Sequence, residues 1–132
     1  MKRVQLITDG ACIGNPGPGG WAFILRYKDQ KKESYGAEPA TTNNRMELTA
    51  AVRGLRALKE PCEVQVITDS EYLKNGITQW IHGWKRRGWI KSDGNPVVNR
   101  DLWEELDRQA GRHKTTWVWT RGHSDHDDNN RC

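Results

Sequence analysis

Apolar residues in this chain fall into short runs with strand character and longer runs with helical spacing, separated by clear punctuation. Val4-Gln5-Leu6-Ile7-Thr8 is rich in β-branched residues, ends at Asp9-Gly10 and reads as a first strand. The segment Gly14-Asn15-Pro16-Gly17-Pro18-Gly19-Gly20 reads as a loop, because glycine and proline at this density suit neither a helix nor a strand interior. Trp21 to Tyr27 gives a second strand, and Lys32 to Ala37 a third after a polar turn. Three successive strands with short connections predict an antiparallel meander.

The period then changes. Thr41-Thr42-Asn43-Asn44 is a helix-start signal. Leu48, Ala51, Val52, Leu55 and Leu58 follow at helical spacing, giving one buried stripe that stops before Pro61. Val64 to Thr68 is a fourth strand, ended by Asp69-Ser70. Strand, helix, strand predicts a right-handed parallel crossover. A helix is expected to start near Ser70, and another to run from about Asp101 to Arg112 with Leu102, Leu106 and Ala110 on one face. Thr115 to Trp119 reads as a fifth strand, and the polar stretch from Thr120 to Cys132 as a loop.

Length and composition narrow this picture to one α/β domain over residues 1–132. No run of about 18 apolar residues predicts a membrane span. The start, Met1-Lys2-Arg3-Val4, leads directly into a strand with no apolar signal region, so a cytoplasmic location is expected. Cys12, Cys62 and Cys132 are odd in number and lack close metal-site spacing, which argues against a disulfide framework or a zinc site. The net charge of +4 says little by itself, but its distribution says more. Three of the seven tryptophans lie within Trp80-Ile81-His82-Gly83-Trp84-Lys85-Arg86-Arg87-Gly88-Trp89-Ile90-Lys91.

The candidate chemistry lies in three acids. If strands one and four are parallel neighbours, Asp9 and Asp69 sit at the same sheet edge, where open α/β sheets bind ligands. Taken singly, each aspartate could equally be a cap. Glu47 continues the apolar stripe through positions 51, 55 and 58 and therefore faces the sheet. An inward carboxylate is costly unless it is paired or binds metal; a capping-box role or an ion pair with Arg45 are the plainer readings. Converging carboxylates repel one another, and a divalent cation relieves the repulsion. Oxygen-only ligands favour Mg²⁺ or Mn²⁺ over zinc.

These residues sit in segments that resemble prokaryotic-type ribonuclease H1. The matching segments are Thr8-Asp9-Gly10-Ala11-Cys12, Gly14 to Trp21, Thr41 to Leu48, Thr68-Asp69-Ser70-Glu71-Tyr72, Trp80 to Trp89, Asn99 to Trp103 and Gly122-His123-Ser124. They occur in order along the whole chain. The resemblance implies a ribonuclease H-like fold, with a five-stranded mixed sheet flanked by helices. It implies Asp9, Glu47 and Asp69 as metal ligands and His123 as a loop residue that aids proton transfer or product release. Cys12, Asn15, Asn43 and Asn44 match positions lining the minor groove of an RNA–DNA hybrid, Glu71 stands where the family more often has an amide contacting a base, and Thr42 matches part of a phosphate-binding pocket. Lys85, Arg86, Arg87 and Lys91 would grip DNA phosphates, Trp80 would pack on the sugar-phosphate chain, and Trp84 is shared between that protrusion and the core.

The expected activity is endonucleolytic hydrolysis of the RNA strand of an RNA–DNA hybrid by a monomeric enzyme. Two Mg²⁺ or Mn²⁺ ions would serve the reaction, leaving 5′-phosphate and 3′-hydroxyl ends. The family also carries a fourth carboxylate just after an Arg-Cys pair like Arg131-Cys132, followed by a C-terminal helix, and this sequence stops at that pair. The expectation is a tail beyond it, and the alternative is a hybrid-binding module that does not cut. Asp125, Asp127 and Asp128 are nearby acids that read as solvated.

Overall fold

The computed structural model describes residues 1–121. Five strands form one mixed sheet in the order β3-β2-β1-β4-β5. Strand β1 (Lys2–Cys12), β2 (Gly17–Tyr27) and β3 (Gln30–Thr41) form the antiparallel meander, while β4 (Cys62–Thr68) runs parallel to β1, and β5 (Lys114–Trp119) parallel to β4. Helix α1 (Asn43–Arg56) makes the crossover between β3 and β4. Helix α2 (Glu71–Asn75) passes through a π-helical turn at Gly76–Trp80 into α3 (Ile81–Arg86), and α4 (Arg100–Gly111) precedes β5. Among the described residues no helix is long and apolar enough to cross a membrane.

Four positions of the helical stripe read from the sequence form the buried face of α1, with Leu48, Ala51, Val52 and Leu55 each no more than 4% exposed, whereas Leu58 lies beyond the C-cap Ala57 and is half-buried. They join Leu6, Val64 and Val66 from the sheet and Trp103 and Leu106 from α4 in the main core. Burial of such side chains contributes about 1.5–3 kcal/mol each, so α1 is pinned to the sheet along its length. A second, smaller cluster of Ile7, Ile24 and Ile67, with Val118 beside it, covers the other sheet face.

Two expectations from the sequence need correction. The glycine-rich stretch is not all loop: β2 begins at Gly17, with Gly20 opposite Ala11 and Gly19 opposite Cys12. The absence of side chains is what permits this pairing, since a Cβ on Gly19 would lie 2.6 Å from Thr41 Cγ2 and 2.9 Å from the Ala11 carbonyl oxygen. The third strand also outruns its predicted bounds at both ends, because β2 supplies partners from Tyr27 back to Gly19 and, past a shift in register, at Gly17. The expected loop after Thr120, including His123, lies outside the described residues.

Gly10 sets how closely α1 approaches the sheet. A Cβ there would stand 2.5 Å from the Met46 carbonyl carbon and 2.6 Å from the Glu47 nitrogen. Both are helix backbone atoms that cannot give way without moving the whole first turn. The substitution Gly10→Ala should therefore lower the thermal midpoint, at a cost of about 1–3 kcal/mol typical of overpacking. A melting curve identical to that of the parent would contradict this close approach.

Candidate active site

Asp9 lies near the C-terminal end of β1, and Asp69 directly follows the C-terminal end of β4. Parallel pairing with Ile7 opposite Ile67 puts Asp9 and Asp69 at the same level of the sheet, although β1 itself runs on to Cys12 rather than stopping at Asp9-Gly10. Glu47 comes from the second turn of α1, brought in over Gly10. One carboxylate oxygen from each of the three lies within 4.8 Å of the others. Asp9 is only 7% exposed but borders an open groove of about 580 Å³ lined further on by Ala22, Ile24, Ser34 and Tyr35.

Glu47 bears most of the strain of this arrangement. Burial first, then the charges of Asp69 and Asp9, push its carboxyl from the ordinary 4.5 up to about 9, opposed only by a hydrogen bond from the Gly10 N–H. Its Oε2 is buried with no hydrogen-bond partner among the described residues. A group whose folded pKa is raised binds more protons folded than unfolded. Without a cation its contribution to stability is therefore full below about 4.5 and is lost as the pH rises towards 9. The two plainer readings of Glu47 fail on geometry. Thr42 caps α1 by accepting the Arg45 N–H at 3.2 Å, so the capping-box position is Arg45 rather than Glu47. The Arg45 guanidinium is engaged with Asp101, with Nη2 2.8 Å from Oδ2. A cation-binding role accounts for both the buried oxygen and the crowding of like charges, and an all-oxygen donor set fits a hard divalent ion.

Asp69 is held from behind. The Trp119 indole N–H donates to the Asp69 carbonyl oxygen at 3.0 Å, the Ser70 N–H donates to Thr68 Oγ1 at 3.0 Å, and Ser70 Oγ caps α2 by accepting the Leu73 N–H at 3.0 Å. Sequence reasoning missed Trp119, and no local signal could have found it, since its partner is 50 residues away.

The other candidates divide into two groups. Asn15 Oδ1 accepts the Asn43 N–H at 2.9 Å, and the Cys12 thiol points at the carbonyl oxygens of Gly17 and Thr41 at 3.2 and 3.3 Å. The glycine-rich loop, the β3 end and the α1 start are thus tied together beside the acids, with Asn15, Asn43 and Asn44 exposed. Glu71 opens α2 and is exposed. In the basic segment Trp80 is 40% exposed, whereas Trp84 at 8% is a core residue packed on Trp103. Lys85 Nζ pairs with Asp107 at 3.1 Å, Lys91 Nζ lies 3.7 Å from Asp93, and Arg87 Nε donates to the Ile90 carbonyl oxygen at 3.0 Å. Arg86 is exposed with no partner among the described residues. His123 lies outside them.

Comparison with known proteins gives the family. The RNase H family profile matches residues 1–132. A ribonuclease H of Solibacter usitatus (strain Ellin6076) is 66% identical over 132 residues, which cover 100% of this chain and 90% of that protein. One of Chelativorans sp. (strain BNC1) is 60% identical, with 100% and 82% covered. Among solved structures, LC9-RNase H1, described as a type 1 RNase H with the type 2 active-site motif, superposes with a TM-score of 0.88 at 33% identity, covering 99% of this chain and 68% of that one. The chain belongs to the ribonuclease H family and is a ribonuclease H, an enzyme that cleaves the RNA strand of RNA–DNA hybrids.

Proposed function

We propose that this single domain cuts the RNA strand internally by water attack at phosphorus, with Asp9, Glu47 and Asp69 holding one or two Mg²⁺ or Mn²⁺ ions at the reacting phosphate. The observation that supports this most is the meeting of three carboxylate oxygens within 4.8 Å around a buried, unpartnered Glu47 Oε2. Divalent ions bound there would lower the pKa of water and stabilise the oxygen that leaves. The chain's own residues then do the positioning. The two aspartates stand on rigid strand ends and the glutamate on a helix pinned to the core, so the ligand set is held in place before substrate arrives. The scission expected from in-line attack leaves a 5′-phosphate and a 3′-hydroxyl.

Selection of the hybrid is assigned to the polar shelf beside the acids. Asn15, Asn43, Asn44 and Cys12 offer short polar groups and backbone amides, suited to 2′-hydroxyls and base edges in a wide, shallow groove, and Thr42 is assigned to a phosphate pocket for the DNA strand. The groove does not demand a particular base sequence, so binding is expected to be largely sequence-independent. Glu71 stands within reach of the same end of the sheet. The segment from Trp80 to Lys91 is assigned to the DNA strand, with exposed Trp80 stacking against the sugar-phosphate chain and Arg86 as the foremost phosphate contact. His123 is assigned to proton transfer or product release. Action as a cytoplasmic monomer completes the reading.

Asp9→Asn should reduce hybrid cleavage with Mg²⁺ or Mn²⁺ by about 10²–10³-fold or more, the scale of losing one charge-stabilising group at a reacting centre. Gel-shift binding of the same hybrid should persist; undiminished turnover would overturn the ligand assignment.

Joint replacement of Lys85, Arg86 and Arg87 by alanine should weaken hybrid affinity and reduce the slope of log affinity against log salt by roughly 1 for each phosphate that is no longer neutralised. Because Lys85 and Arg87 have protein partners, most of that change is expected from Arg86. An unaltered slope would remove the phosphate role.

A further inference from the structure

Arg45 stands two residues before Glu47, yet its side chain turns away from the acids towards the start of α4. Nη1 donates to Asn99 Oδ1 at 3.1 Å and to Asp101 Oδ1 at 3.1 Å, while Nη2 donates to Asp101 Oδ2 at 2.8 Å. Asn99 Nδ2 donates onward to the Tyr72 hydroxyl at 3.2 Å, which also accepts the Trp103 indole N–H at 3.0 Å. The Tyr72 ring lies 5.9 Å from that of Trp80 and 5.3 Å from that of Trp103. A continuous polar and aromatic path therefore joins the first turn of α1 to the root of the Trp80–Lys91 segment. The same helix α4 holds that segment a second time, through Asp107 and Lys85.

Two features set this path apart from an ordinary surface ion pair, which contributes about 0–1 kcal/mol. Asn99 sits at the N-cap of α4 but makes no capping hydrogen bond with its side chain. It forgoes about 1 kcal/mol that an asparagine cap would supply. It also holds φ at 62°, a left-handed conformation that asparagine tolerates better than most residues other than glycine. Both features belong to the residue that links Arg45 to Tyr72, whose side chain is turned to that link instead of to the helix end.

We infer that Arg45, through Asp101 and Asn99, is a positioning residue that fixes the spacing between the RNA-cutting cluster and the DNA-gripping segment. A duplex presents its two strands at a set separation. Two grips help each other only when the protein matches that separation, and lose the gain when it does not. The inference rests on the assignment of the Trp80–Lys91 segment to the DNA strand.

The test is a double-variant cycle on the full chain, reading KM, kcat and thermal midpoint for one hybrid. Arg86→Ala alone should raise KM; no change there would overturn both the grip assignment and this inference. Asp101→Asn and Arg45→Lys each break the two-pronged contact with little change in bulk. Each should raise KM by about tenfold, equivalent to 1.4 kcal/mol, with kcat within about threefold of the parent. Combining Arg86→Ala with Asp101→Asn should raise KM clearly less than the product of the single effects, because a grip already out of register has less to lose. A purely structural role would lower the thermal midpoint and leave the KM effects multiplicative. Multiplicative effects, or an unchanged KM in both Asp101→Asn and Arg45→Lys, would overturn the inference while leaving the grip assignment standing.

Discussion

The fold forces three like charges into a space where they repel, and much of the structure around the site exists to hold them there. The main-chain supports are specific. Strands β1 and β4 run parallel with Ile7 opposite Ile67, which brings Asp9 level with Asp69 just beyond the end of β4. Gly10 has no side chain and so admits the α1 backbone, which delivers Glu47. Trp119 and the Thr68–Ser70 turn fix the chain where it leaves β4. The energy for this comes from elsewhere, chiefly the apolar face of α1 buried on the sheet. The outcome is a glutamate pushed up to about 9 that a divalent cation can return to its charged form.

Much of this is legible in the residues, for identifiable reasons. The α1 stripe can be read because helical period and burial coincide at Leu48, Ala51, Val52 and Leu55. Asp9 and Asp69 can be paired because both end apolar runs and one crossover helix lies between them. The orientation of Glu47 follows from the same stripe. The start of β2 is hidden because glycine and proline ordinarily break strands; at Gly19 close packing against Thr41 and Ala11 selects glycine within one. The roles of Trp84, Lys85 and Arg87 are not legible singly. A basic aromatic segment has the same composition whether its side chains meet phosphates or the protein, and here Asp107, Ile90 and Trp103 take three of them. Asn99 cannot be found from local pattern, since an asparagine before a helix reads as a cap.

Helix α4 is more than a layer of the core. Trp103 and Leu106 bury one face, while Asp101 and Asp107 reach in two directions, to α1 and to α3. The polar shelf of Asn15 and Asn43, tied by a direct hydrogen bond, adds a third fixed point beside the acids. The surface proposed to bind the hybrid is thus built on a frame whose parts are far apart in sequence but joined by few, directional contacts. Recognition by groove shape requires such a frame more than it requires any single strong contact.

The central claim concerns the Glu47 side chain, and an NMR titration of its carboxyl carbon in the intact chain reads it without relying on cleavage. With no divalent ion present, Glu47 should titrate near 9, and saturating Mg²⁺ should leave it ionised at neutral pH. A midpoint near the ordinary 4.5 that Mg²⁺ does not move would contradict the account.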